Sequence, residues 1–107
     1  MTTIVDKYGL SAATIKAVQA CFGAEANIET AILYGSRAKG NYRPGSDVDL
    51  CLIGSELSTK MLFALRRSLD ELNTPYKFDL SIHHQIEHKD LLEHIARVGI
   101  PFYKKSE

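Results

Sequence analysis

Asp47 and Asp49 sit two positions apart in the apolar stretch DVDLCLI; ten residues before them stands the pair Gly35-Ser36, followed by the cations Arg37 and Lys39. On a strand, period two puts both carboxylates on one face, roughly 6.5 to 7 Å apart. Two bare unit charges at that separation repel by about 2 to 3 kcal/mol at an effective dielectric near 20. A divalent cation reverses the sign, and hard carboxylate oxygens beside phosphate suit Mg²⁺, with Mn²⁺ as the alternative. The Gly-Ser turn supplies the other half of such a site. Backbone amides after a strand, the Ser36 hydroxyl and the Arg37 and Lys39 cations are groups that hold phosphate oxygens. Gly35, with no Cβ, lets a ligand approach the backbone closely. The pattern is a phosphate grip beside a metal grip, which is what brings a nucleoside triphosphate to Mg²⁺.

Each half is common by itself, since Gly-Ser occurs in many turns and a lone Asp-x-Asp is usually a solvated strand or loop. Together at this spacing they arise by chance in roughly one chain in a thousand of this length. Neighbouring chemistries fail on particular residues. Gly35 to Gly40 has the spacing of a P-loop, but Asn41 and Tyr42 stand where the phosphate Lys and the Mg²⁺-binding Ser or Thr are required. The chain has no GxGxxG, GxSxG or CxxC. His83, His84, His88 and His94 gather late in the chain and read as polar turn and helix surface, His84 and His88 being helix-spaced only if the last helix starts early.

The elements that must carry these residues are legible from periodicity. Ser11 caps a helix from about Ala12 to Phe22, with Ile15, Val18 and Phe22 on its apolar side and Leu10 and Ile15 in staple positions. Ile28 to Tyr34 and Asp47 to Ile53 read as strands, joined by a loop rich in Gly, Pro, Ser and Asn with room for one helical turn. Ser58 caps a second helix whose stripe is Leu62, Leu65, Leu69 and Leu72, ended by Asn73-Thr74-Pro75. Tyr76 to Ile82 alternates Phe78, Leu80 and Ile82 against Lys77, Asp79 and Ser81, so Asp79 faces away from the apolar stripe. A last helix begins near Lys89 and stops at Gly99, followed by a short apolar piece, Ile100 to Tyr103. The prediction is an α+β fold of αβαβα order: one domain over 1–107 with a small mixed sheet of three or more strands and helices packed on one face.

At 107 residues, 45% apolar and 24% charged, the chain has room for one thin core and no large internal cavity. Thirteen basic and thirteen acidic residues cancel, so no global field draws it to nucleic acid, and direct nucleic-acid binding is not expected. Cys21 and Cys51 lie in apolar-periodic stretches and read as buried reduced thiols. The opening MTTIVDKYGL has no basic segment leading into an apolar one, and no apolar run approaches a membrane span. A soluble cytoplasmic protein is expected.

GSRAKGNYRPGSDVDL resembles the signature of the DNA polymerase β-like nucleotidyltransferase superfamily, and the chain is similar to its minimal branch, the antitoxin half of HEPN/MNT toxin–antitoxin pairs. Gly35 and Ser36 match the Gly-Ser, and Asp47 and Asp49 the Asp pair. Asp79 stands where the superfamily places a third carboxylate on a later strand. The resemblance implies transfer of a nucleoside monophosphate, AMP from ATP, to an acceptor hydroxyl. It implies two Mg²⁺ ions held by Asp47, Asp49 and Asp79, with Asp79 assisting deprotonation of the acceptor and Gly35, Ser36, Arg37 and Lys39 on the nucleotide. Larger relatives carry an extra acceptor-binding domain. The acceptor site is therefore expected on a separate helical HEPN-type or substrate-binding partner, in a hetero-oligomer. Two other readings stand beside this one: a catalytically silent module that neutralises a toxin by occlusion, and a glycosyltransferase using Asp-x-Asp, for which the chain is short.

Overall fold

Ser11 ends the incoming chain by accepting the Thr14 amide on its Oγ at 3.2 Å, and helix α1, Ala12–Gly23, follows from that cap. A computed structural model describes residues 7–106; residues 1–6, on which the reading of the opening segment partly rests, lie outside it. The chain then forms β1 (Thr30–Tyr34), the short helix α2 (Gly35–Lys39), β2 (Val48–Ile53), α3 (Thr59–Asp70) and β3 (Phe78–Ile82). A single 3-10 turn over His83–Gln85 leads to α4 (Lys89–Val98) and β4 (Ile100–Lys104). The loop's helical turn is thus a real helix. The apolar piece after Gly99 is a fourth strand, which periodicity left unassigned.

The sheet order is β3-β2-β1-β4. β1 pairs antiparallel with β2 and β4, while β2 and β3 run parallel, with α3 as the crossover that a parallel pair requires. Pro101 lies in edge strand β4, opposite Ile32 at a register shift between Ala31 and Ile32. An edge is where a residue without an amide proton does least harm to a ladder.

Alternation along the strands sorts the side chains to two faces. Ala31, Leu33, Val48, Leu50, Leu52, Leu80 and Ile82 point to the main core, met by Val18 and Phe22 of α1 and by Leu65 and Leu69 of α3. The opposite face carries a smaller cluster of Tyr34, Cys51 and Ile95, with Ile32, Leu91 and Val98 packed against it. Helices on one face therefore describes α1 and α3, and the expectation is corrected for α4. The reason is apolar side chains on both faces of β1: Ile32 needs cover as much as Leu33 does. The site-bearing face is the one shared with α4.

No helix of the described residues is long and apolar enough to cross a membrane. Cys51 is buried, and burial pushes its thiol up to about 11; both cysteines are free. His88 caps α4, accepting the Leu91 amide on Nδ1 at 3.3 Å, so the helix starts too late for His84 and His88 to share a face.

Candidate active site

Strand register decides which carboxylates meet. Asp49 is paired with Tyr34 on one side and Asp79 on the other, so one row across β1, β2 and β3 reads Tyr34, Asp49, Asp79. Neighbouring strands lie about 4.8 Å apart, closer than the same-face spacing along a strand. The two aspartates are thus nearer neighbours in the sheet than Asp47 and Asp49 are in sequence. Asp79 is exposed and Asp49 half-buried; Asp47 is exposed, just before β2 begins.

The consequence is electrostatic. Burial, then the charge of Asp79, then that of Asp47 raise the Asp49 carboxyl to about 6, while Arg37 pulls weakly the other way. The Tyr34 phenol is raised by burial, a shift opposed by its contact with Ser81 Oγ at 3.5 Å.

Gly35 follows the row directly, at φ +75°, a left-handed conformation that costs a side-chain-bearing residue energy. A Cβ there would run into Oδ2 of Asp49. Glycine is what lets that carboxylate lie over the first turn of α2. The Gly35 amide donates to Nε2 of His94 at 3.2 Å. Ser36 is the next residue, and its carbonyl accepts from Gly40, whose own positive φ closes α2.

Gly35, Ser36, Asp49 and Asp79 are therefore gathered, with Asp47 at the rim. Two of the expected nucleotide contacts are placed otherwise. Lys39 is exposed at the far end of α2. Arg37 is corrected outright: it is 2% exposed, its Nη1 donates to the Tyr8 carbonyl at 2.8 Å, and its Nε and Nη2 donate to the Ser46 carbonyl at 3.1 and 2.8 Å. The rings of Tyr42 and Tyr76 flank the guanidinium at 5.2 and 5.3 Å. A buried cation needs its nitrogens partnered, and these two carbonyls give each of the three an acceptor. Arg37 holds the loop between α2 and β2 and does not face a ligand.

Sequence reasoning missed Tyr34 and His94. Tyr34 could have been found from its position immediately before the Gly-Ser pair on a strand. His94 carried no local signal, because only tertiary packing brings α4 over this face.

Among the described residues no three acidic, His or Cys side chains are grouped so as to hold a metal ion by themselves, so Asp47, Asp49 and Asp79 do not form a ready three-carboxylate site. The donor set nonetheless suits a divalent cation. Two adjacent hard carboxylates, one with its acidity suppressed by burial and then by the charge of the other, form a negative pair with no direct ion-pair partner among the described residues. At the β3 edge Asp79 and Asp47 border a cleft shared with Arg66, Asp70, Tyr76 and Lys77, while Asp49 does not line it.

The family model for "Polymerase beta, Nucleotidyltransferase" matches residues 16–107. No curated protein matches. Among solved structures the fold is similar to a toxin–antitoxin complex crystallised with AMP-PNP, with a TM-score of 0.71, 15% identity, and 86% of this chain and 74% of that one covered. It is also similar to the MntA–HepT toxin–antitoxin complex (TM-score 0.64, 13% identity, 87% and 72% covered). A third similar structure is a tri-AMPylated Shewanella oneidensis HEPN toxin in complex with its MNT antitoxin (TM-score 0.65, 13% identity, 87% and 71% covered). At such identities the likeness is one of fold.

Proposed function

Because the chain belongs to the polymerase β nucleotidyltransferase family, we propose that it transfers AMP from ATP to an acceptor hydroxyl presented by a helical HEPN-type partner protein. The observation that carries this reading is the direct pairing of Asp49 with Asp79 beside Gly35. Two carboxylates side by side against a turn that allows close backbone approach support a site for a cation and a phosphate. The complexes of similar fold, one with AMP-PNP and one with an AMPylated toxin, supply the choice of nucleotide and partner.

Asp49 and Asp79, with Asp47 at the rim, would hold Mg²⁺. When bound, the ion neutralises charge on the reacting phosphate and favours ionisation of the acceptor hydroxyl. The Ser36 hydroxyl and the first-turn amides of α2 that follow Gly35, whose own N–H is taken by His94, would bind the outer phosphates. In the reaction the acceptor oxygen attacks the α-phosphorus, the bond from that phosphorus to the bridging oxygen breaks, and pyrophosphate leaves. The acceptor proton passes to the Asp79 carboxylate. Its exposed position beside the β3 cleft leaves room for an incoming hydroxyl. Arg37 supports this machinery from beneath by fixing the loop that delivers Asp47.

The test is direct. Purified chain, labelled ATP, Mg²⁺ and the product of the adjacent open reading frame should place label on that product. Asp47→Asn and Asp49→Asn should each abolish it. A wild-type chain that transfers no label with any nucleotide refutes the reading.

A further inference from the structure

We propose that His94 is a positioning residue for nucleotide binding: from α4 it fixes the Gly35 amide, and with it the orientation of the Gly-Ser turn toward a triphosphate. This inference rests on the transferase reading above. Helix α2 has five residues, and its N-cap residue Tyr34 makes no side-chain cap bond. The first amide of α2 would be left without a partner from its own segment. His94 supplies one, 59 residues later in the chain, accepting the Gly35 N–H on Nε2 at 3.2 Å. An accepting Nε2 leaves the proton of the neutral ring on Nδ1.

The bond matters because of what it holds. Gly35 has no side chain to anchor it, and it leans directly on the Asp49 carboxylate. Rotation of the Tyr34–Gly35 peptide would swing Ser36 relative to Asp49, and a backbone hydrogen bond to a fixed acceptor opposes that rotation. The acceptor is fixed. The imidazole meets the Tyr34 ring edge-on, with centroids 6.1 Å apart and planes at 81°. Ile95, the next residue, is buried against the sheet. The exit of α4 is equally tight: a Cβ on Gly99 would collide with the Ile95 carbonyl and with the Ile32 side chain. The depth of α4 over β1 is thereby set, and so is the height of the His94 ring above the turn.

The experiment measures binding of a non-hydrolysable ATP analogue with Mg²⁺ to the full chain by calorimetry, alongside the melting temperature and the exchange rate of the Gly35 amide. His94→Ala should weaken nucleotide binding about tenfold and speed Gly35 exchange by a similar factor, as loss of one backbone-anchoring hydrogen bond implies. His94→Gln, which returns an acceptor at the same reach, should recover binding to within about threefold. His84→Ala is the control. It removes one comparable contact, between the ring Nε2 and the Leu57 carbonyl at 3.1 Å, and should lower the melting temperature without changing nucleotide affinity. Unchanged or tighter binding by His94→Ala, or equal Gly35 exchange in both proteins, overturns the proposal while leaving the transferase reading intact. A wild type that binds no nucleotide removes both.

Discussion

Asp49 is the residue at which folding and the proposed chemistry pull in opposite directions. Its carboxyl is raised to about 6 by burial, Asp79 and Asp47. In the unfolded chain it titrates near 3.9. Between those values the folded state holds more protons than the unfolded one, so stability falls as pH rises through about 4 to 6. Above that window the ionised group is a constant liability. Asp49→Asn should therefore stabilise the metal-free protein at pH 7.5 by about 1 kcal/mol, a figure discounted because the group is half-exposed and screened. The gain should fade as pH falls toward 4 and vanish below it; thermal melts across pH 3.5 to 8 measure this. Added Mg²⁺ should raise the midpoint of the wild type and not that of the variant. Gly35→Ala tests the same contact from the other side. Strain at φ +75° and the clash with Asp49 should cost about 1 to 3 kcal/mol in urea unfolding.

At the scale of elements, the loop joining α2 to β2 is the joint between the turn and the carboxylates, and Arg37 is its pin. Lysine in its place keeps the charge but cannot reach the Tyr8 and Ser46 carbonyls together or stack between Tyr42 and Tyr76. Arg37→Lys should cost about 2 to 3 kcal/mol in urea unfolding and open the loop to protease, since it strands a buried cation without its acceptors. Nothing near Arg37 in sequence announces this role, because its partners lie 29 residues before it, nine after it and, in Tyr76, on the approach to β3. The caps Ser11 and Ser58, the leucine stripe of α3 and the alternation that turns Asp79 away from the core depend on neighbours within a turn or two, and all are present. β4 was missed because a five-residue strand containing Pro101 has too little alternation to register, and it exists through pairing with β1. The side of the sheet taken by α4, and with it His94, was equally non-local.

At the scale of the whole molecule, the carboxylate row ends at edge strand β3, where Asp79 borders the cleft, so a bound partner could either receive AMP there or simply be blocked. The Asp49–Asp79 pairing favours chemistry over blocking. Separating them needs a variant that removes chemistry without altering shape. Asp49 is unsuitable, because it is half-buried and lies against Gly35, so replacing it disturbs the turn as well as the charge. Asp79 is suitable: it is exposed, and Asn preserves its volume. Asp79→Asn removes the repulsion that Asp79 exerts on Asp49, so at pH 7.5 it should stabilise the metal-free protein modestly, by about 0.5 to 1 kcal/mol, and leave partner affinity unchanged by calorimetry. Label transfer to the partner should nevertheless be lost, and cells expressing the partner should lose protection. Protection that survives in a folded, partner-binding Asp79→Asn protein would instead mean that the surface neutralises the partner, and that the carboxylate pair is not what the protection depends on.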